Sequence, residues 1–446
     1  MSQTSDSWSS RIGFILAAAG SAIGLGAIWR FPYTAGTNGG AVFFLMFIAL
    51  TLLVGLPMLV AEFFMGRHTR RNAIATYDTL APGSGWRWAG VLGVVTCFVI
   101  LSFYSVVGGW VLAYLYHTLA GHLGAGTDYA ALFGQIIANP WQMVGFQALT
   151  MLLTVAVIQS GVSTGIERAN KFMMPALFVL FILLAVRSLT LPGAWAGVEF
   201  LLKPDWGYLN GKTLLLAMGQ AFFALSLGMT IMVTYASYLG KTDNLYGAAS
   251  HVVWMNLLIS LLAGLVIFPA VFALGFEPGA GPGLIFVVLP AVFQQLPFGM
   301  PMFVVFLVLV LFATLTSTFS LLETITAAAS RGNPYLRRRM TWILGVVITL
   351  VGVPSALSFG VLSDVKLAGK TVFDILDFVT STIAIPLGVL LVALFVGWRL
   401  DRDTVLQSAA QGSGLARGLL LVWFWLVRWL APIAICIVFL NSLGVF

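Results

Sequence analysis

The sequence predicts an all-α membrane protein of eleven transmembrane helices, and three observations predict it. The 446 residues are 60% hydrophobic and only 8% charged, with a mean hydropathy of +1.01, a composition outside the soluble globular class. Cutting the chain at charged and Gly/Pro-rich joints leaves eleven apolar stretches of the roughly 20 residues or more that cross a bilayer as helix. Two of these stretches, the first and the sixth, are interrupted by glycine and polar residues.

The stretches run over 11–37, 40–67, 88–120, 141–160, 166–188, 212–239, 246–274, 300–330, 338–358, 371–398 and 416–443. Residues 1–10 are polar, and no cleavable signal peptide is apparent. Basic residues orient the chain. A cytoplasmic N-terminus puts Arg11, Arg67, Arg70, Arg71, Arg87, Arg168, Lys171, Lys241, Arg331, Arg337, Arg338, Arg339, Arg399, Arg402 and Arg417 on the inner side, 15 of the 22 Lys and Arg. The net charge of +7 is therefore a topology signal rather than a nucleic-acid surface. Cys97 and Cys436 stand alone in apolar spans, and the four histidines lack metal-ligand spacing.

In the first span Gly20, Gly24 and Gly26 lie within seven residues and Arg30 follows. Each glycine costs a helix about 1 kcal/mol relative to alanine, so this is the easiest place to unwind it. Unwound backbone at membrane depth survives only against protein or a water-filled cavity. Gly20-x-x-x-Gly24 also fits a helix-packing motif. The second span carries Glu62 with Arg67 one turn on, which reads as a structural ion pair. The third holds Tyr104 in the mid-span patch Ser102-Phe103-Tyr104-Ser105, where a buried hydroxyl needs a partner and reads as facing a ligand. The fifth combines Gly165 with Pro175, a weakened start that admits unwinding or an ordinary kink.

The sixth span repeats the anomaly at Gly219–Gly228, with Gln220 and Ser226 inside it. Interrupted helices opening two corresponding five-span blocks, 11–188 and 212–398, point to a mid-membrane site in an inverted-repeat architecture, which favours the broken reading of the first span. In later spans Asn256 and Ser260 share a face, Thr314–Thr318 bring hydroxyls that can bond their own helix, and Asp374 and Asp377 open the tenth. Intramembrane charge is costly, which pairs Arg30 with Asp377.

Taken together, Trp8-Ser-Ser-Arg11-x-Gly13, the Gly20–Pro32 stretch, Asn38-Gly39-Gly40, Glu62-x-x-x-Gly66-Arg67, Phe222-Phe223-x-Leu225-Ser226-Leu227-Gly228 and Thr234-Tyr235-Ala236-Ser237-Tyr238 resemble the neurotransmitter:sodium symporter family. Within it the chain looks most like the bacterial eleven-helix branch carrying hydrophobic amino acids. The resemblance implies a LeuT-type 5+5 inverted repeat with helices 1 and 6 broken. Its parts are a cytoplasmic segment 1–10, repeats 11–188 and 212–398, an extracellular loop 189–211, and a cytoplasmic loop with helix 11 over 399–446. It implies sodium-coupled import of neutral L-amino acids by alternating access across the inner membrane, with no enzymatic activity and no organic cofactor. A proton-coupled permease using Glu62 or Glu323, or a transporter-like receptor of the same fold, is the alternative.

Position by position, the resemblance implies one sodium site from Gly20, Ile23, Ala313, Thr316 and Ser317, and a second from Ala22, Ala224 and Asn256. Oxygen ligands suit such hard cations. The second set departs from the leucine-type pattern, because Ala27 and Ala224 replace residues with side-chain oxygens. The implied substrate pocket is Ala22, Leu25, Gly26, Ile100, Tyr104, Phe223, Ser226, Met229, Ser320 and Leu321. Gly24 stands where monoamine transporters carry aspartate, so the substrate brings its own carboxylate to the amides of Leu25 and Gly26 at a helix N-terminus. Arg30 and Asp377 would gate the outer side above Tyr104 and Phe223, and Asp6 with Arg331 the inner. Phe47 and Ala224 lack the hydroxyls of the family's chloride site, which argues against chloride dependence. Gly165 and Pro175 match a pattern tied to unwinding of the fifth helix.

Overall fold

The computed structural model describes residues 7–124, 126–275 and 284–442. Among them there is no β-strand, and each of the eleven predicted stretches is helical. Among the described residues, nine helices are long and apolar enough to cross a membrane: Ala41–Thr69, Arg87–Leu119, Pro140–Ile158, Val162–Leu189, Leu245–Ala273, Gly299–Ser330, Tyr335–Ala356, Val372–Arg399 and Arg417–Asn441. The first predicted span is a pair, Arg11–Ala22 and Gly26–Thr37, bent by 50°. The sixth is also a pair, Gly211–Ala224 and Ile231–Ala236, each too short to cross alone.

The sequence accounts for the ends and the breaks. Ser10, Asn210 and Asn244 cap the first, sixth and seventh spans by accepting from Gly13, Thr213 and Gly247 amides, which satisfies donors that a helix start leaves bare. In the sixth span Ser226, Gly228 and Thr230 all have positive φ, at 53°, 78° and 56°, a conformation that L-residues adopt only at a cost. Glycine is required at position 228, because a Cβ there would lie 2.5 Å from the Ile385 carbonyl oxygen. The Gly228 amide, freed from the helix by the break but buried, donates to Glu62 Oε1 at 2.7 Å.

That bond corrects the Glu62–Arg67 pairing. Arg67 instead donates to the backbone carbonyls of Asp243, Ser408 and Gln411. Five residues advance a helix by about 140°, so the two side chains face different neighbours. Asp374 has a structural role: it forms a capping box with Thr371 at the start of the tenth span.

The broken first span packs against the fifth, seventh and eighth, and Phe14, Ala17, Ala18, Ala19 and Ile23 have no exposed surface. Large apolar side chains lie outward instead on the fourth, fifth, ninth and eleventh spans, among them Leu152, Leu183, Leu350 and Val422. Membrane-length helices with an apolar exterior and buried Ser, Thr, Asn and Glu inside describe a multi-pass membrane protein. The fifth span is continuous past Pro175 and opens with a widened turn over Val162–Glu167.

Candidate functional site

The two breaks face each other. One cavity between them is lined by Ser21, Ala22, Gly24, Leu25, Gly26, Ile100, Tyr104, Phe223, Ser226, Met229, Ile231, Ser317, Ser320 and Leu321. All ten residues of the expected substrate pocket are in that lining. Its water-accessible space is about 40 Å³, room for a few waters, so a large side chain requires the lining to move.

Polar groups in the cavity are tightly placed. The Leu25 amide donates to the Tyr104 hydroxyl at 3.3 Å, so one of the two expected carboxylate-binding amides has an internal partner. Ser21 Oγ donates to Ser320 Oγ at 2.8 Å, and the Ser21 carbonyl accepts from Ser226 at 2.9 Å and from Ser317 at 3.5 Å. Gln220 Nε2 donates to the Gly26 carbonyl at 2.7 Å, tying the second half of the first span to the sixth. A Cβ on Gly24 would sit 2.2 Å from Ser317 Oγ and 3.2 Å from the Tyr104 hydroxyl. Aspartate does not fit there without displacing both.

The expected cation ligands gather in two places beside the cavity. Asn256 Nδ2 donates to the carbonyls of Ala22, at 3.1 Å, and Ala224, at 2.9 Å. The three residues of the second expected sodium site thus converge on one point between the broken helices. Asn256 Oδ1 is buried without a hydrogen-bond partner, and turning the amide over would aim that oxygen at the same point. In the other set a Cβ on Gly20 would lie 3.2 Å from Thr316 Cβ, while Thr316 Oγ1 donates to the Ala313 carbonyl at 3.0 Å. Ser317 lines the cavity, with its Oγ against Gly24 and the Ser21 carbonyl.

Two closures bound the site. Toward the Arg30 end, the guanidinium lies over the Phe223 ring, 4.7 Å from its centroid, and Asp377 accepts from Ser381 at 2.9 Å. The expected Arg30–Asp377 gate is therefore not closed by a direct ion pair in this structure; the guanidinium rests on the ring instead. At the opposite, arginine-rich end, Trp8 donates to the Tyr235 carbonyl at 2.9 Å and packs edge-on against Phe14, Tyr235 and Tyr238. Glu167 accepts from Ser9 N at 2.7 Å, Ser9 Oγ at 2.6 Å and Ser10 Oγ at 2.8 Å, and pairs with Lys171 at 2.7 Å. Asp6 lies outside the described residues, and Arg331 lines a cavity of about 740 Å³ with Arg70, Arg71, Arg87 and Arg337.

Comparison with known proteins decides the family. The sodium:neurotransmitter symporter family model matches residues 5–128 and 133–446. The chain belongs to the sodium:neurotransmitter symporter family. The sodium-dependent transporter YhdH of Bacillus subtilis (strain 168) is 52% identical over 98% of both chains. A sodium-dependent transporter of Haemophilus influenzae is 34% identical over 98% of each. Among solved structures, that of MhsT in complex with L-phenylalanine superposes with a TM-score of 0.90 at 44% identity, covering 98% of this chain and 99% of that one. This protein is accordingly a sodium-dependent transporter with the LeuT-type fold, and not an enzyme.

Three residues at the broken first span escaped sequence reasoning. Ser21 sits inside the glycine-rich stretch and bridges both broken helices and the eighth span; a hydroxyl beside the expected break was the available signal. Glu167 stands next to Arg168 and Lys171 and reads as one more member of a charged loop. Asn170 follows three residues later, and nothing in the sequence tells which way its amide turns.

Proposed function

We propose that this symporter imports neutral L-amino acids with hydrophobic side chains, coupled to sodium at two sites, across the inner membrane with its N-terminus in the cytoplasm. The observation that carries the reading is the cavity between the two breaks, whose lining includes every expected pocket residue. The substrate carboxylate would take the place of internal partners at the Leu25–Gly26 turn, where a helix start favours an anion. Ile100, Phe223, Met229, Ile231 and Leu321 would receive an apolar side chain. The solved complex of MhsT with L-phenylalanine supports this class of substrate.

Sodium enters here as cargo. Gly20, Ile23, Ala313, Thr316 and Ser317 would hold one ion and Ala22, Ala224 and Asn256 the other, with the bound carboxylate or Ser226 completing a set that lacks two side-chain oxygens. An orphaned buried oxygen on Asn256 is the kind of group a cation satisfies. The repeats 11–188 and 212–398 would then move against each other about the site, with the loop 189–211 outside and 399–446 as an added cytoplasmic loop and helix. The proton-driven alternative draws no support from Glu323, which is paired with Arg337 and accepts from Tyr238 at 2.6 Å; it rests on Glu62, whose Oε1 accepts from the Gly228 amide while its Oε2 is buried without a partner. Uptake of radiolabelled leucine or tryptophan into proteoliposomes tests the proposal. Faster uptake with sodium than with choline outside is expected; equal uptake in both removes sodium coupling, and no uptake of either amino acid removes the substrate class.

A further inference from the structure

One buried amide of the fifth span is aimed at the broken first helix. Asn170 has no exposed surface. Its Nδ2 donates to the Ile166 carbonyl at 2.9 Å, which fixes the orientation of the amide, and its Oδ1 has no hydrogen-bond partner. That oxygen fills the space a side chain at Gly20 would need: a Cβ there would stand 2.2 Å from Asn170 Oδ1 and 3.2 Å from Thr316 Cβ. Asn170, Gly20 and Thr316 therefore meet at one place, on the fifth, first and eighth spans.

A buried acceptor with no donor is costly, and each such group in a native fold calls for a partner. The neighbours decide what kind. The two residues that the structure places beside Asn170 Oδ1, Gly20 and Thr316, both belong to the set expected to hold a cation, and the Thr316 hydroxyl is already spent on the Ala313 carbonyl. We infer that Asn170 Oδ1 is a further sodium-facing oxygen, supplied by the fifth span to the site of Gly20, Ile23, Ala313, Thr316 and Ser317. The inference rests on the assignment of that site given above.

Its consequence is mechanical. Glu167, one helical turn before Asn170, holds Ser9 and Ser10 at the start of the first span. A single stretch of the fifth span thus grips the first helix at both ends, once through its N-terminal segment and once through the ion. Movement of this stretch away from the first helix removes a sodium oxygen and the N-terminal anchor in the same step.

The test measures radiolabelled sodium binding to the purified full-length protein in detergent, with no transport required. Asn170→Ala should raise the half-saturating sodium concentration about tenfold, the scale on which metal sites respond to lost supporting groups. Asn170→Asp keeps the oxygen and adds charge, and should bind sodium at least as tightly as the parent. Asn170→Ser is the substitute if the alanine variant does not fold, with the same direction expected. Thr316→Val is the reference for the site itself. If Thr316→Val weakens sodium binding and Asn170→Ala does not, the inference is overturned and the site stands. If neither changes it, the site assignment fails and the inference with it. Equal weakening in Asn170→Ala and Asn170→Asp marks a packing role and also overturns it.

Discussion

Gly24→Ala puts one carbon into the tightest part of the site. The added Cβ would lie 2.2 Å from Ser317 Oγ, more than an ångström inside ordinary contact, with the Tyr104 hydroxyl at 3.2 Å blocking retreat. Relief comes from swinging the Ser317 hydroxyl away or from parting the first and eighth spans. Overpacking of this kind costs about 1–3 kcal/mol. A hydroxyl withdrawn from a charged partner costs about 1.5–3 kcal/mol, which is roughly a 10- to 100-fold loss of affinity. Sodium-dependent binding of labelled phenylalanine should therefore need 10- to 100-fold more sodium in Gly24→Ala. Ser317→Ala removes the same oxygen without a clash, so the double variant should be no worse in sodium affinity than either single change. Parent-like sodium dependence in Gly24→Ala, or fully additive losses in the double variant, refutes the reasoning.

Three other outcomes follow from the same geometry. Phe223→Leu removes the ring beneath Arg30, a contact worth about 0.5–2 kcal/mol, and should speed phenylalanine release from the purified protein severalfold; an unchanged off-rate contradicts the lid. Glu167→Gln weakens the hold on Ser9 and Ser10, so a cysteine placed at Ser9 in the purified protein should react faster with a water-soluble thiol reagent. Unchanged labelling shows that Trp8 alone secures the segment. Replacing chloride by gluconate should leave sodium-dependent binding within about twofold, because Phe47 and Ala224 offer no hydroxyl to an anion; a chloride requirement contradicts this.

Apolar length made the spans legible, because hydropathy over 20 or more residues is an averaged property that no single contact overrides. The break at Gly20–Gly26 was readable from glycine cost, yet only its pairing with the break at Ser226–Gly228 separated it from a packing motif. Side-chain partners were another matter. Glu62 and Arg67 are close in sequence, but a helix turns them onto different faces, and the Gly228 amide that Glu62 receives is more than 160 residues away. The role of Asp374 was present in the sequence as Thr371-x-x-Asp374, a capping pattern hidden by the expectation of intramembrane charge. Arg30 and Asp377 both lie at one end of the molecule, but their contact depends on the gap between spans, which local sequence does not report. The directions of Asn170 and Asn256 depend on which carbonyls each amide meets, so only three-dimensional packing reveals them.

Coupling is the central claim, and simultaneous flux measures it most directly. In proteoliposomes with equal sodium on both sides and labelled sodium outside, phenylalanine added outside should accelerate entry of the labelled ion in proportion to amino-acid entry. Thr316→Val should diminish both together. Phenylalanine entry that leaves sodium flux unchanged would contradict the account.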